Sequence, residues 1–240
     1  MRLASLHHVT AICSDARRTA GFYRDLGLRL VKRTVNYDEP SAYHLYFGDD
    51  HGSPGSLLTF FEWPRVGRGR LGRGLVESIG LVVPGTKEYQ RISDPDGLQI
   101  DLVPGDRVAL THVAAFGEPT VYGGLVDYDS PLRFLASPGV QGVYGAGVVH
   151  HVAFRVGTAL DQAAARQELV ERGLRPTRVF DRTYFRSVYV RMPDGLLLEL
   201  ATDAPGFAVD EPSESLGASL KLPGWLEAER ASLESQLVPI

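Results

Sequence analysis

Three residues stand out because their types together suggest metal chemistry. His7 and His8 lie in "SLHHVTAI" (5–12), and His150 and His151 lie in "GVVHHVAFRV" (147–156), both apolar, β-branched runs that read as strands. Neighbouring side chains on a strand point to opposite faces, so the two members of each pair cannot share one environment if the strand is regular. Alternation groups His8 with Thr10 and Ile12, and His151 with Ala153 and Arg155. In "GLLLELATD" (195–203), Leu196, Leu198 and Leu200 face one way, and Leu197, Glu199 and Ala201 the other. A carboxylate in so apolar a strand is costly unless it is paired or bound to a cation. Three strands thus offer His8, His151 and Glu199. Two histidines and one carboxylate form the facial triad of non-haem Fe(II) oxygenases, which leaves positions open for substrate and O2.

The elements that must position these residues repeat along the chain. "HHVTAI" (7–12) matches "HHVAFRV" (150–156), and "DPDGLQIDL" (94–102) matches "MPDGLLLEL" (192–200), with "SPGSLLTFF" (53–61) a looser third copy. A first β-α-β-β-β unit covers 1–66. Its helix, "ARRTAGFYRDLG", follows a cap at Ser14 or Asp15, carries Phe22, Tyr23 and Leu26 on one stripe, and ends at Gly27. A last unit of the same order covers 147–206, with an Ala-rich helix over 159–172 ending at Gly173 and strands in "RPTRVFD", "FRSVYVRM" and "GLLLELATD". Between them lie a shortened second unit (67–105) and a degenerate third (106–146), neither with a convincing helix. The tail, 207–240, predicts a final helix after Pro223, with Leu226, Leu233 and Leu237 on its buried stripe and Trp225 read as core. The fold class is α+β, with repeated βαβββ units forming curved mixed sheets.

Bulk properties narrow the function. The 240 residues carry a net charge of −4, with no basic run suited to nucleic acid or a membrane surface. No apolar run approaches the roughly 18 residues of a spanning helix, and the first dozen residues do not read as a signal peptide, so a cytoplasmic location is expected. The single cysteine, Cys13, excludes an internal disulfide framework and reads as a small buried residue of the first strand.

Such units, with a histidine on the first strand and a glutamate on the last, resemble the vicinal oxygen chelate superfamily, which includes glyoxalase I, bleomycin- and fosfomycin-resistance proteins and extradiol dioxygenases. The resemblance is closest to ring-cleaving dioxygenases acting on hydroquinones. It rests on "LHHVTAI", "LGLRLVKRTVNYDEPSAYHLYFGD", "GSPGSLLTFF", "GAGVVHHVAFRV", "DRTYFRSVYVRMPDGLLLELATDAPGF" and the "LGASLKLP…LE" tail, well over half of the chain. It implies Fe(II) held by His8, His151 and Glu199, the same three residues. It also implies that His7, Thr10, His150, Arg182 and Tyr189 line a substrate pocket. A guanidinium there can stabilise a phenolate or superoxide, and a phenol can give or take a proton. The implied partners are a small aromatic substrate and O2, the ring opening beside a hydroxylated carbon with both oxygen atoms incorporated. Nucleic acid and membrane are not implied, and a homo-oligomer is left open.

The family usually has four units, the first and last around the metal and the middle two in a second barrel; here the middle two are cut down. Asp101 takes the glutamate's place in the second unit and is expected to be a relic or solvent-exposed. Two alternatives stay open. A glyoxalase-like isomerase or lyase would draw a further ligand from the first unit, but Thr59 aligns opposite Glu199. A bleomycin-resistance-like binding protein would have no use for the triad. The ligand types would also take Mn, Ni or Zn in a purified sample.

Overall fold

A computed structural model describes all residues, 1–240. Unit one comprises β1 (Leu6–Cys13), α1 (Ala16–Asp25), β2 (Arg29–Asn36), β3 (Glu39–Gly48) and β4 (Leu57–Glu62). The centre holds β5 (Val76–Val82), β6 (Gln90–Ser93), β7 (Gln99–Val103), β8 (Ala109–Phe116) and β9 (Leu132–Leu135). The last unit contributes β10 (Val149–Arg155), α2 (Ala159–Glu171), β11 (Phe180–Asp181), β12 (Arg186–Arg191) and β13 (Leu197–Ala201), and α3 (Arg230–Gln236) closes the chain. No helix is long and apolar enough to cross a membrane.

One pairing rule organises both sheets. The first strand of each unit pairs in parallel with its last, β1 with β4, β5 with β7, β8 with β9 and β10 with β13. Units then join through antiparallel first strands, β1 with β10 and β5 with β8. An eight-stranded sheet results, ordered β11-β12-β13-β10-β1-β4-β3-β2, beside a five-stranded one, ordered β6-β7-β5-β8-β9. The centre therefore has the same first–last pairings with no α-helix between its strands.

Local chemistry sets the helix ends. The Asp15 side chain accepts from the Arg18 amide at the start of α1, and Gly27, at φ +100°, follows its last turn. Thr158 and Asp161 form a capping box on α2. Val9, Ala11 and Cys13 on β1 point into the main apolar core, and burial pushes the Cys13 thiol up to about 12, which makes it a poor nucleophile.

Three sequence expectations need correction. Of "RPTRVFD", only Phe180–Asp181 is a strand. Trp225 is not core: it is 62% exposed, with its ring edge-on to Tyr37 at 5.4 Å. Residues 224–229 form a 3-10 turn before α3, and that tighter winding buries Leu226 while turning Trp225 outward. Asp101 is not solvent-exposed. It is buried on β7, where Arg91 grips both its oxygens (2.6 and 3.0 Å), with Tyr89 at 2.7 Å and Ser78 at 2.9 Å.

The tail is fastened by a buried cation. Lys32 on β2, with no exposed surface, reaches Asp210 at 2.6 Å, Glu211 at 2.5 Å and the Phe207 carbonyl at 3.2 Å. Removing one partner of a buried ion pair leaves uncompensated charge, at a cost of about 3 kcal/mol or more. Lys32→Met is therefore expected to lower the urea midpoint and expose residues 207–222 to protease. An unchanged midpoint would show that the ion pairs do not hold the tail.

Candidate metal centre

The two first strands, β1 and β10, lie side by side at the centre of the large sheet, with β13 next to β10. They bring His8, His151 and Glu199 together, all buried. His8 Nε2 and His151 Nε2 stand 3.3 Å apart. Glu199 Oε2 is 2.9 Å from His151 Nε2 and 3.3 Å from His8 Nε2. Two ligands about 2.1 Å from a first-row metal and at right angles stand about 3.0 Å apart, so this triangle has the size of one face of an octahedron.

The residues fit a cation in a second respect. Glu199 is fully buried, yet its Oε2 has no properly aligned hydrogen-bond donor despite the two close imidazole nitrogens. Its other oxygen, Oε1, accepts from Ser187 Oγ at 2.5 Å. Burial pushes the Glu199 carboxyl up, but the two imidazoles beside it outweigh that and hold the group well below the ordinary range. Burial pushes His151 down, towards the neutral form that ligates.

The paired histidines owe their arrangement to two β-bulges. Along β1 and β10, Leu6 faces Phe154 and His8 faces Ala153, so His7 is an extra residue on β1. Thr10 faces His151 and Ala11 faces Val149, so His150 is the extra residue on β10. Each bulge lets two consecutive imidazoles meet edge to face. His7 Nδ1 lies 2.9 Å from His8 Nδ1, and His150 Nδ1 lies 2.8 Å from His151 Nδ1.

The hydrogen-bond network assigns the tautomers of His7 and His8. The Thr202 carbonyl, 3.1 Å from His7 Nε2, can only accept. His7 therefore carries its proton on Nε2, and its Nδ1 accepts from His8 Nδ1–H. That leaves the His8 Nε2 lone pair free for a metal. His150 meets His151 through the same Nδ1 edge, within a ring of Phe61, Trp63 and Tyr144, with no hydrogen bond at its Nε2 to fix the tautomer. Burial pushes both His7 and His150 down to about 3, so both stay neutral.

A small cavity opens onto the triad, bounded by Asn36–Asp38, His44 and Tyr46, Phe61, Arg182, Phe185 and Tyr189. Larger surface grooves exist, but none of them contains the triad. Arg182 and Tyr189 thus lie on the wall where the resemblance put them. His7, Thr10 and His150 do not: the bulges turn the two histidines behind their ligating neighbours, and the Thr10 hydroxyl is engaged with Thr59 Oγ1 at 2.8 Å. Ser187, His44 and Tyr46 were not singled out from the sequence. The alternation in "SAYHLYF" does put His44 and Tyr46 on one face, but only the register with β4 shows which face that is.

Comparison with known proteins agrees with this geometry. The model of the Glyoxalase/Bleomycin resistance protein/Dioxygenase superfamily matches residues 5–200. "Putative ring-cleaving dioxygenase MhqA" of Bacillus subtilis is 33% identical over a 315-residue alignment that covers all of both chains. The alignment is longer than this chain, as it must be where the relative has segments missing here. The chlorohydroquinone/hydroquinone 1,2-dioxygenase of Sphingobium indicum is 30% identical, over 97% of this chain and 95% of its own. Among solved structures, a "putative dioxygenase" from Bacillus subtilis superposes with a TM-score of 0.90 at 30% identity, over 100% of this chain and 98% of that one. Glyoxalase I from Zea mays shares the fold, with a TM-score of 0.59 at 15% identity, over 83% and 92% of the two chains.

Two predictions follow from the site. Glu199→Ala should abolish tight metal binding, and His7→Phe, which removes only the acceptor behind His8, should weaken it about 10- to 100-fold. Full affinity in Glu199→Ala, measured by chelator competition, would refute the ligand assignment. In the metal-free protein, His7 and His150 bind protons near pH 3 when folded but near 6.5 when unfolded. Between these values the unfolded chain holds more protons, so stability falls as pH drops through the window and levels off below it. Urea midpoints measured from pH 7 to 3 should show this decline, and His150→Phe should flatten it.

Proposed function

Because this chain belongs to the glyoxalase/bleomycin resistance protein/dioxygenase superfamily, we propose that it is an Fe(II)-dependent ring-cleaving dioxygenase. Its substrates are hydroquinone- or catechol-like aromatics, and both atoms of O2 enter the product. The observation that carries this reading is the closed triangle of two Nε2 atoms and one unpartnered carboxylate oxygen, with no fourth protein ligand. Thr59 holds the register position in unit one that Glu199 holds in the last, and a neutral hydroxyl is a poor ligand. That argues against an isomerase site with four protein ligands. The names of the relatives, a ring-cleaving dioxygenase and a hydroquinone dioxygenase, point the same way.

When bound, Fe(II) supplies a place where O2 and an ionised aromatic hydroxyl can lie side by side and exchange electrons. His8 and His151 would hold it through Nε2. Glu199 would offer it Oε2, since Oε1 accepts from Ser187. Phe61 and Phe185 supply apolar walls for a ring, and Arg182 brings the positive charge that favours a phenolate. Burial and the nearby Glu199 raise the Tyr189 hydroxyl above its ordinary value, so it stays protonated and donates. The free space, about 20 Å³, holds roughly one water. An aromatic ring therefore needs more room than this cavity offers, and the β2–β3 turn and the Arg182–Thr183 loop meet at its edge. The ties between them are weak: Tyr37 to Thr183 at 3.0 Å, and Arg182 to the exposed Asp38 at 3.8 Å.

Anaerobic reconstitution with Fe(II), followed by oxygen uptake with hydroquinones and catechols, tests the reading. Uptake of one O2 per ring opened is expected. No uptake with any such substrate, despite one bound metal per chain, would sink it.

A further inference from the structure

The two units that frame the triad are related by a pseudo-twofold axis, and the strand registers give the equivalences. Glu199 pairs across with Tyr189, as Thr59 pairs with Tyr46. Two residues further along, Ser187 corresponds to His44. The hydrogen bonds correspond as well: Ser187 Oγ meets Glu199 Oε1, and His44 Nε2 meets Thr59 Oγ1 at 3.0 Å. Tyr46 is therefore the counterpart of Tyr189, a second phenol on the wall of the same cavity. It flanks the side of the centre from which the protein offers no ligand, where an exogenous oxygen has room to bind.

Tyr46 also ends a hydrogen-bonded chain. Its hydroxyl meets His44 Nδ1 at 3.0 Å, His44 Nε2 meets Thr59 Oγ1, and Thr59 Oγ1 meets Thr10 Oγ1 at 2.8 Å. Every member can both donate and accept. No carbonyl, amide or charge fixes the direction, unlike His7, which the Thr202 carbonyl locks. With His44 protonated on Nε2, the Tyr46 hydroxyl donates to Nδ1 and its oxygen can accept from the cavity. With His44 protonated on Nδ1, the Tyr46 oxygen accepts from the ring and its proton points into the cavity. Both directions satisfy the same three bonds, so whatever is bound chooses between them.

We propose that Tyr46 contacts the substrate's ionisable oxygen on the Thr59 side, accepting from it while it is a hydroxyl and donating to it once it is an oxyanion. His44 and Thr59 are positioning residues that keep both directions open. The inference rests on the reading of this cavity as a site for an aromatic hydroxyl. Other charged or ionisable groups facing this corner are Arg182, Tyr189, Tyr37, Tyr184, Glu199, His8 and His151, and Lys32 stands beside Tyr46 on β2, tied to Asp210 and Glu211. None of them hydrogen-bonds to the four-residue chain.

The test uses the Fe(II)-loaded protein without oxygen and 4-nitrophenol, whose absorbance reports whether its hydroxyl is ionised. Tyr46→Phe should bind the probe about tenfold more weakly or worse, because a hydrogen bond to a charged oxygen is lost. It should also leave a smaller fraction of bound probe ionised at the same pH, with metal affinity unchanged. His44→Phe and Thr59→Val should move both readouts in the same direction. His44→Gln should restore most of the effect, since an amide can present either end by flipping. Wild-type affinity and ionisation in Tyr46→Phe would overturn the proposal. So would a His44→Phe variant that loses thermal stability or metal affinity while the bound probe ionises as in wild type. Oxygen uptake on natural-type rings is read separately, so a failed dioxygenase reading shows in the wild type and a failed Tyr46 role only in the variants.

Discussion

The antiparallel pairing of β1 with β10 is the constraint on which the rest depends. It joins residues 143 positions apart in sequence and puts His8 and His151 within 3.3 Å. Because both are first strands, each also carries its own last strand in parallel, and β13 delivers Glu199 to the same point. Regular pairing would not suffice. Two bulges, at His7 and His150, turn a second imidazole onto the Nδ1 edge of each ligand. At His8 this decides which nitrogen carries the proton, because the Thr202 carbonyl fixes the tautomer of His7.

The two sheets solve one electrostatic problem in two ways. In the small sheet, Asp101 has the register of Glu199, His112 that of His8, Ser78 that of His151 and Arg91 that of Tyr189. A buried carboxylate at that place needs a cation. Arg91 supplies one from within the chain, in a two-pronged grip supported by Tyr89 and Ser78. Burial pushes Asp101 up, but these partners hold it far below the ordinary range. In the large sheet no side chain fills the role. Glu199 keeps one oxygen unpartnered between two imidazoles, and the missing charge must come from outside.

Much of this was legible in the sequence, for definable reasons. The repeat, the capped helices and the triad follow from apolar periodicity and from the rarity of a carboxylate in a leucine strand. What escaped depends on register. A bulge adds one residue without marking the sequence, so alternation could say only that His7 and His150 must not face the way their neighbours do. Thr10 reads as a pocket residue until its partner, Thr59, is known. Trp225 fits a helical stripe, but the chain winds there as a 3-10 turn. Asp101 looked exposed because the sequence does not show that Arg91 lies directly across from it.

The duplication also shows how one half of a symmetric site can specialise. Where the equivalent positions differ, the last unit carries the charged or charge-orienting choice and the first unit the neutral one: Glu199 against Thr59, and Ser187, which pins a carboxylate, against His44, which leaves a hydroxyl chain undirected. Tyrosine is kept on both sides, but its surroundings differ. Tyr189 sits near the Arg182 guanidinium, 5.4 Å from its ring centroid, while Tyr46 is packed among Tyr184, Phe185 and Phe207. A fixed cation demands fixed donors, which His8, His151 and Glu199 supply. An oxygen whose protonation changes during binding demands partners that can reverse, and only a neutral, uncommitted network meets that demand.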